Sequence, residues 1–256
     1  MIITKENIKT LNIKPQRIIS LVPSITETLF YLGLGNKLVG ITKWCKHPAN
    51  EVSKKTKVGG VIGIDIKKIK QLKPDLIFAV KEENDKDEVN ELSKFTNVYL
   101  GEILDLDDAY NQILDIGKLT KLNKQTKKLV SDIKSDFTKI SDFNNLRCAY
   151  LVWNKPLMLV GGNTFINSIL QACNLNNIFD DRSSYPEITI EDIKEKKPDI
   201  IFLCSEPFEF KEKHKTDFEK HFPNTKVLLV DGEVFTWYGS RLLKTKEYCR
   251  KIKKML

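Results

Sequence analysis

Four residues of this chain carry side chains suited to holding a transition metal. Cys45 and His47 stand two apart just after an apolar run, Leu38–Ile41, and Glu82 and Glu83 follow a second run, Leu76–Val80. A thiolate, an imidazole and a carboxylate together suit zinc or cobalt. If both runs are strands of one parallel sheet, both pairs lie past its carboxyl edge, where α/β proteins bind ligands. A plainer reading has His47-Pro48 as a turn, Cys45 as packing and the two acids as solvated, since loop acids interleaved with lysines are common on surfaces. A second cluster is Trp237-Tyr238-Gly239-Ser240-Arg241. Gly239 and Ser240 suit a helix start, which predicts a helix over residues 241–255 with Arg241 in its first turn. There Arg241, Ser240 and the backbone amides would hold a carboxylate, amide or phosphate group of a ligand. Alternatively, Arg241 pairs with Asp231 and Trp237 fills the core. No phosphate loop, GxGxxG, GxSxG or HExxH motif is present, and Ser24 and Ser168 have no recognisable base partner.

The elements that must position these residues are written twice. Residues 66–79 and 190–203, aligned on Pro74 and Pro198, share Ile66/Ile190, Ile69/Ile193, Lys70/Lys194, Lys73/Lys197, Asp75/Asp199, Ile77/Ile201 and Phe78/Phe202. A spacing of 124 residues exceeds the periods of solenoids and propellers and points to two similar lobes. Between two lobes lies a cleft, where small ligands usually bind. Strands are predicted at 17–22, 38–41, 76–80, 97–100 and 148–153, with helices from Thr26 to Leu32, from Asp65 to before Pro74 and from Thr164 to Cys173. Strands alternating with helices imply parallel sheets. Between the lobes, apolar residues from Leu106 to Phe137 recur at helical spacing. This predicts one long helix, or two in line, over residues 105–141, reaching about 50 Å at about 1.5 Å per residue. The expected organisation is an N-terminal α/β lobe over 15–104, the linking helix over 105–141, and a C-terminal α/β lobe over 146–256.

The chain has 256 residues, of which 41% are hydrophobic and 30% charged, enough for two cores. Its formal net charge of +8 comes from 37 lysines and only 5 arginines. The lysines alternate with acids, as in residues 81–88, which reads as a solvated surface and not a nucleic-acid interface. No run of about 18 apolar residues exists, so no membrane-spanning helix is expected. The start, Met1-Ile2-Ile3-Thr4-Lys5, has no apolar leader. The sequence as written therefore predicts a cytoplasmic chain, or a periplasmic or membrane-associated one if a leader has been removed. Five cysteines (Cys45, Cys148, Cys173, Cys204 and Cys249) cannot all pair, and three lie in apolar stretches, which fits a reducing compartment. His214 and His221 are expected to be solvated.

The duplicated lobe, the helical link and the phrase Arg17-Ile-Ile-Ser-Leu-Val-Pro-Ser-Ile-Thr-Glu27 resemble the class III periplasmic-binding proteins, or helical-backbone metal receptors. The resemblance covers about residues 15–255. Val39-Gly-Ile-Thr-Lys-Trp-Cys-Lys-His-Pro48, Leu72-Lys-Pro-Asp-Leu-Ile77 and Trp237-Tyr-Gly-Ser-Arg241 make it most similar to the cobalamin-binding branch. The resemblance implies a non-catalytic, monomeric solute-binding protein that needs no cofactor and takes a metal-bearing ligand, foremost a corrinoid. Alternatives are a transition-metal ion or iron chelate (zinc, cobalt or iron), or a cytoplasmic enzyme or metallochaperone that kept the fold. It implies a cleft lined by Pro23, Ser24, Trp44, Gly60, Trp153, Tyr185, Trp237, Tyr238, Ser240 and Arg241, in which Cys45 or His47 is a candidate axial ligand to cobalt. The chain departs from the pattern at Val61 and Ile62, where the family carries a second aromatic. The resemblance also implies docking to the permease of an ABC importer through one surface acid per lobe. Glu191 keeps that acid in the second lobe, while the first-lobe position holds Lys67, which would repel a permease arginine.

Overall fold

The computed structural model describes residues 1–8, 13–140 and 143–256. The described chain is α/β and divides into two units. The first comprises Met1–Ile103, Asp107–Ile133 and Trp237–Arg241, and the second comprises Leu104–Leu106, Lys134–Thr236 and Leu242–Leu256. The segment Trp237–Arg241, expected in the C-terminal lobe, thus belongs to the first unit.

The first unit runs β1 (Ile2–Ile3), β2 (Ile18–Ser20), α1 (Pro23–Tyr31), β3 (Leu38–Ile41), α2 (Ala49–Val52), α3 (Ile66–Gln71), β4 (Leu76–Val80), α4 (Lys86–Ser93) and β5 (Asn97–Gly101). Its sheet has the order β1-β5-β4-β2-β3, with every pairing parallel. Every residue of β4 is buried, as a central parallel strand requires. Ile19, Leu21, Ile77, Ala79 and Val98 pack with Ile69, Val89 and Leu92 into one core cluster.

The helices α5 (Leu106–Thr120) and α6 (Asn123–Phe137) follow. The single linking helix is therefore two, and its expected limit, Ser141, lies outside the described residues. The break is a Schellman turn: Lys121 has φ 64° and the Leu122 N–H donates to the Gly117 carbonyl at 2.8 Å. Nor do the helices simply continue in line, because Thr126 returns against Gly117. A Cβ on Gly117 would stand 2.0 Å from Thr126 Oγ1, so the contact requires glycine.

The second unit contains β6 (Leu146–Trp153), β7 (Met158–Leu159), α7 (Phe165–Ala172), β8 (Leu175–Asn177), α8 (Ile190–Lys196), β9 (Ile200–Cys204), α9 (Glu212–His221), β10 (Lys226–Val230), α10 (Gly232–Thr236), a 3₁₀ stretch Gly239–Lys244 reaching into it from the first unit, and α11 (Thr245–Lys253). Strand order β10-β9-β6, with β8 on the other side of β6, repeats β5-β4-β2-β3. The expectation of purely parallel sheets fails at one place, since β7 pairs antiparallel with the end of β6.

The repeated Lys-Pro-Asp has a physical reason. Lys73 and Lys197 both sit at φ 45°, ending α3 and α8, and proline then prevents continuation. The carboxylate of Asp75 accepts from the backbone N–H groups of Gln16 (2.7 Å) and Arg17 (3.0 Å), and that of Asp199 accepts from Arg147 N–H at 2.8 Å. The guanidinium groups return the tie: Arg17 donates to the Leu72 carbonyl, and Arg147 to those of Lys196 and Lys197. Thr96 and Thr225 hydroxyls donate to the Pro74 and Pro198 carbonyls at 2.8 and 2.9 Å. The motif is the bolt that fixes the start of the central strand in each sheet.

Candidate functional site

In the first unit, the carboxyl ends of β2, β3 and β4 carry the loops that hold the predicted residues. Pro23 opens α1, where its missing N–H is no loss. Trp44 follows β3 and is 51% exposed, with Lys43 Nζ 5.0 Å from its ring centroid. Gly60 lies against it, since a Cβ there would come within 3.5 Å of the indole nitrogen. Ile62, at the position lacking an aromatic, is 67% exposed. The 60–63 loop is braced by two residues that sequence reasoning did not single out. Asn84 donates to the Val61 carbonyl at 2.9 Å and, more weakly, to that of Leu21 at 3.4 Å, while its Oδ1 accepts from Val80 N–H at 2.9 Å. Glu88 accepts from the N–H groups of Gly63 and Ile64 at 3.2 and 3.0 Å. The one signal for Asn84 is its place as the uncharged polar residue in an otherwise charged run after a wholly apolar strand.

The metal expectation is corrected. Cys45, His47, Glu82 and Glu83 do not assemble, and among the described residues no three His, Cys, Asp or Glu side chains come together to hold a metal. Each is occupied elsewhere. The Cys45 sulfur is buried against the hydroxyls of Thr26 (3.2 Å) and Thr42 (3.3 Å), and burial pushes its pKa up, away from the thiolate a metal needs. Glu82 accepts from Ile103 N–H at 3.2 Å, and burial raises its pKa. Glu83 accepts from the Tyr238 hydroxyl at 3.0 Å, while His47 meets the Trp237 ring edge-on with centroids 5.6 Å apart.

The second correction concerns Trp237–Arg241. Arg241 lies in the 3₁₀ stretch and not in the first turn of an α-helix, which begins at Thr245. Its Nε donates to Glu27 at 2.7 Å, and its guanidinium stacks 4.7 Å from the Trp237 ring centroid. Trp237, Tyr238, Ser240 and Arg241 are all buried. Ser240 N–H donates to Thr28 Oγ1 at 3.0 Å, and Gly239, at φ +88°, would place a Cβ 2.1 Å from that same oxygen. Burial, foremost, and the Glu83 carboxylate raise the Tyr238 pKa well above the usual phenol range, with the buried Ser24 partly opposing them. These residues clamp the returning chain onto α1 and the Glu83 loop, and offer little surface to a solute.

In the second unit, Trp153 ends β6 with 39% of its surface exposed. Its indole N–H donates to the Lys155 carbonyl at 3.1 Å, and Phe208 meets it edge-on at 5.6 Å. Phe208 packs in turn on Phe210 (4.9 Å) and His214 (5.4 Å). His214, expected to be solvated, instead accepts the Lys211 N–H on Nδ1 at 2.9 Å and contacts both phenylalanines. Tyr185 is 41% exposed in the segment paired with β7. Glu191, at the start of α8, has a side chain 75% exposed and only a distant Lys194 ammonium at 3.9 Å. The equivalent Lys67 on α3 is also exposed.

Comparison with known proteins agrees with this architecture. The profile of the periplasmic binding protein family matches residues 18–227. The vitamin B12-binding protein of Vibrio parahaemolyticus is 27% identical over 193 residues, which are 73% of this chain and 70% of the relative. An uncharacterized ABC transporter substrate-binding lipoprotein of Bacillus subtilis, YvrC, is 28% identical over 250 residues, covering 92% of this chain and 79% of its own. Among solved structures, the periplasmic vitamin B12-binding protein of Vibrio cholerae superposes with a TM-score of 0.76 over 95% of this chain and 98% of that one, and at 23% identity it speaks for the fold. No helix among the described residues is long and apolar enough to cross a membrane. With its profile match spanning most of the sequence, the chain belongs to the periplasmic binding protein family.

Proposed function

We propose that this protein is a non-catalytic solute-binding protein whose ligand is a corrinoid. The observation that carries the reading is that each unit presents a half-exposed indole beyond a strand of its own sheet: Trp44 at 51% and Trp153 at 39%. Exposed rings held on rigid strand ends suit a large planar ligand, which gains from apolar area and stacking. Pro23, Ile62 and Tyr185 supply further surface. The names of the Vibrio relatives point to the same ligand class. Among the described residues no three His, Cys, Asp or Glu side chains gather to hold a metal, which favours a metal that arrives inside its ligand over a bare ion. Delivery to an ABC importer, outside the cytoplasm, is the role suggested by the substrate-binding lipoprotein relative. Glu191 is then the acid offered to a permease arginine, and Lys67 weakens the corresponding contact on α3.

The test is calorimetric melting with and without cobalamin and cobinamide in metal-free buffer. A ligand at about 100 times its Kd adds roughly 2.7 kcal/mol, a rise of roughly 5–10 °C for a chain of this size. No rise at high ligand concentration would overturn the corrinoid reading.

A further inference from the structure

The internal duplication is incomplete at one sheet edge. In the first unit, β1 lies parallel against the outer side of β5, with Ile2 beside Val98 and Ile3 beside Tyr99. Val98 N–H donates to the Met1 carbonyl at 2.9 Å, and the Met1 ammonium donates to the carbonyls of Ser93 (2.7 Å) and Thr96 (3.0 Å). In the second unit β10 takes the place of β5, since Val227 pairs with Ile201 as Val98 pairs with Ile77. Among the described residues, no strand lies on the outer side of β10. A groove of about 480 Å³ runs beside β10, walled by the consecutive residues Thr225–Leu228, with Phe222 and Met255 next to them. We propose that the β10 edge docks an extended peptide as a parallel strand, its amino end towards Glu219 and its β-branched apolar residues beside Val227 and Leu228.

The correspondence extends residue by residue. In that register Phe222, Thr225, Val227 and Leu228 stand for Ser93, Thr96, Val98 and Tyr99, which hold Met1, Ile2 and Ile3 in the first unit. All of the former line the groove. The two threonines confirm the match, because each donates its hydroxyl to the proline carbonyl of its own Lys-Pro-Asp motif. Lys226 N–H donates to the Asp199 carbonyl at 3.0 Å, towards β9. By strand alternation, the N–H groups of Val227 and Leu229 point away from β9, to the outer side. Only Lys226 charges this edge; Val227–Val230 are apolar, the kind of edge that accepts another strand. Charge complements the amino end. Glu219, one helical turn before Phe222, brings a half-exposed carboxylate to the groove at the end where the first unit seats an ammonium. Backbone pairing then supplies affinity, and the branched side chains supply selectivity.

The test titrates the full chain with a synthetic peptide of the sequence of residues 1–5 and follows single-amide hydrogen exchange by NMR. At about ten times its Kd the peptide should slow exchange at Val227 and Leu229 by about tenfold, with Val98 unchanged. The same peptide N-methylated at its third residue lacks the N–H that parallel pairing uses and should protect neither amide. Equal protection by both peptides, or no change up to the solubility limit, would overturn the proposal. So would amides that already exchange as slowly as Val98 without peptide, which would mean that the chain itself covers the edge. Protection that grows with protein concentration alone would give the edge to a second copy and overturn the peptide as its occupant. Every reading is made on the unmutated chain, so no variant needs to fold.

Discussion

Arg241 Nε donates to Glu27 Oε2 at 2.7 Å, with the two side chains only 5% and 13% exposed. The pair joins residues 214 positions apart and pins the returning chain onto α1. Removing one member of such a pair leaves the other charge buried without compensation, which costs about 3–5 kcal/mol. Glu27→Ala and Arg241→Ala should each lower the stability of the folded chain by about 3 kcal/mol or more, measured by urea unfolding. The double variant should lose clearly less than the sum, because the second change removes the charge stranded by the first. Strictly additive losses would show that the pair contributes nothing as a pair.

Trp44 and Trp153 should separate binding from folding. A central indole in an interface is commonly worth 2 kcal/mol or more, so each alanine variant should weaken corrinoid binding by about 30-fold. Trp44 is half in water, so Trp44→Ala should change stability by only about 0.5 kcal/mol. Titration calorimetry against cobinamide and a melting curve on the same sample test both halves. Unchanged affinity in both variants would remove the indoles from the site.

Asn84 makes a different prediction, since it touches no exposed surface of its own. Its amide joins the ends of β2 and β4 to the 60–63 loop, and Asn84→Ala would leave buried backbone groups unmet at about 1–3 kcal/mol. Amide hydrogen exchange should accelerate at residues 61–64 before it does so elsewhere. Asn84→Asp should fail to rescue the loop, because a carboxylate can accept from Val80 N–H but cannot donate to Val61. Rescue by aspartate would mean that the Val61 contact is dispensable.

The fold was largely legible, for reasons tied to particular residues. The Lys-Pro-Asp repeat stands out because its three residue types each perform a backbone task that few others can: a left-handed helix end, a stop, and a carboxylate for the neighbouring strand's N–H groups. The break at Lys121 was hidden because a lysine, not a glycine, occupies the left-handed position, and the apolar spacing continues on both sides of it. Of the candidate site, the exposure of two rings was legible. Trp44 and Trp153 stand exposed where ring type and strand ends suggest. Arg241 misled because an arginine beside tryptophan and tyrosine looks the same in sequence whether it awaits a ligand or closes on Glu27, and the partner lies on α1. Cys45 and His47 misled likewise: spacing brings them near one another, but the Thr26 hydroxyl and the Trp237 ring that claim them come from other parts of the chain.

His214 should make the Trp153 surface sensitive to acid. Its Nδ1 accepts the Lys211 N–H at 2.9 Å, a bond that needs the nitrogen unprotonated, and its ring packs on Phe208, which meets Trp153. Partial burial is the main cause that lowers its pKa below the ordinary 6.5. Lys213, Lys211 and Lys155 add to the effect, and Asp217 opposes it. The folded chain therefore binds fewer protons at this site than the unfolded chain in the window just below 6.5. Stability from His214 is complete above that window and is lost as pH falls through it towards the folded-state value. Between about pH 5 and 7.5, unfolding of the natural chain and of a His214→Gln variant should diverge, with the natural chain gaining on the variant as pH rises. Corrinoid affinity should follow the same direction, because the ring that loosens supports Phe208 behind Trp153. A stability difference that stays constant across that range would show that the His214 proton is not coupled to the aromatic cluster.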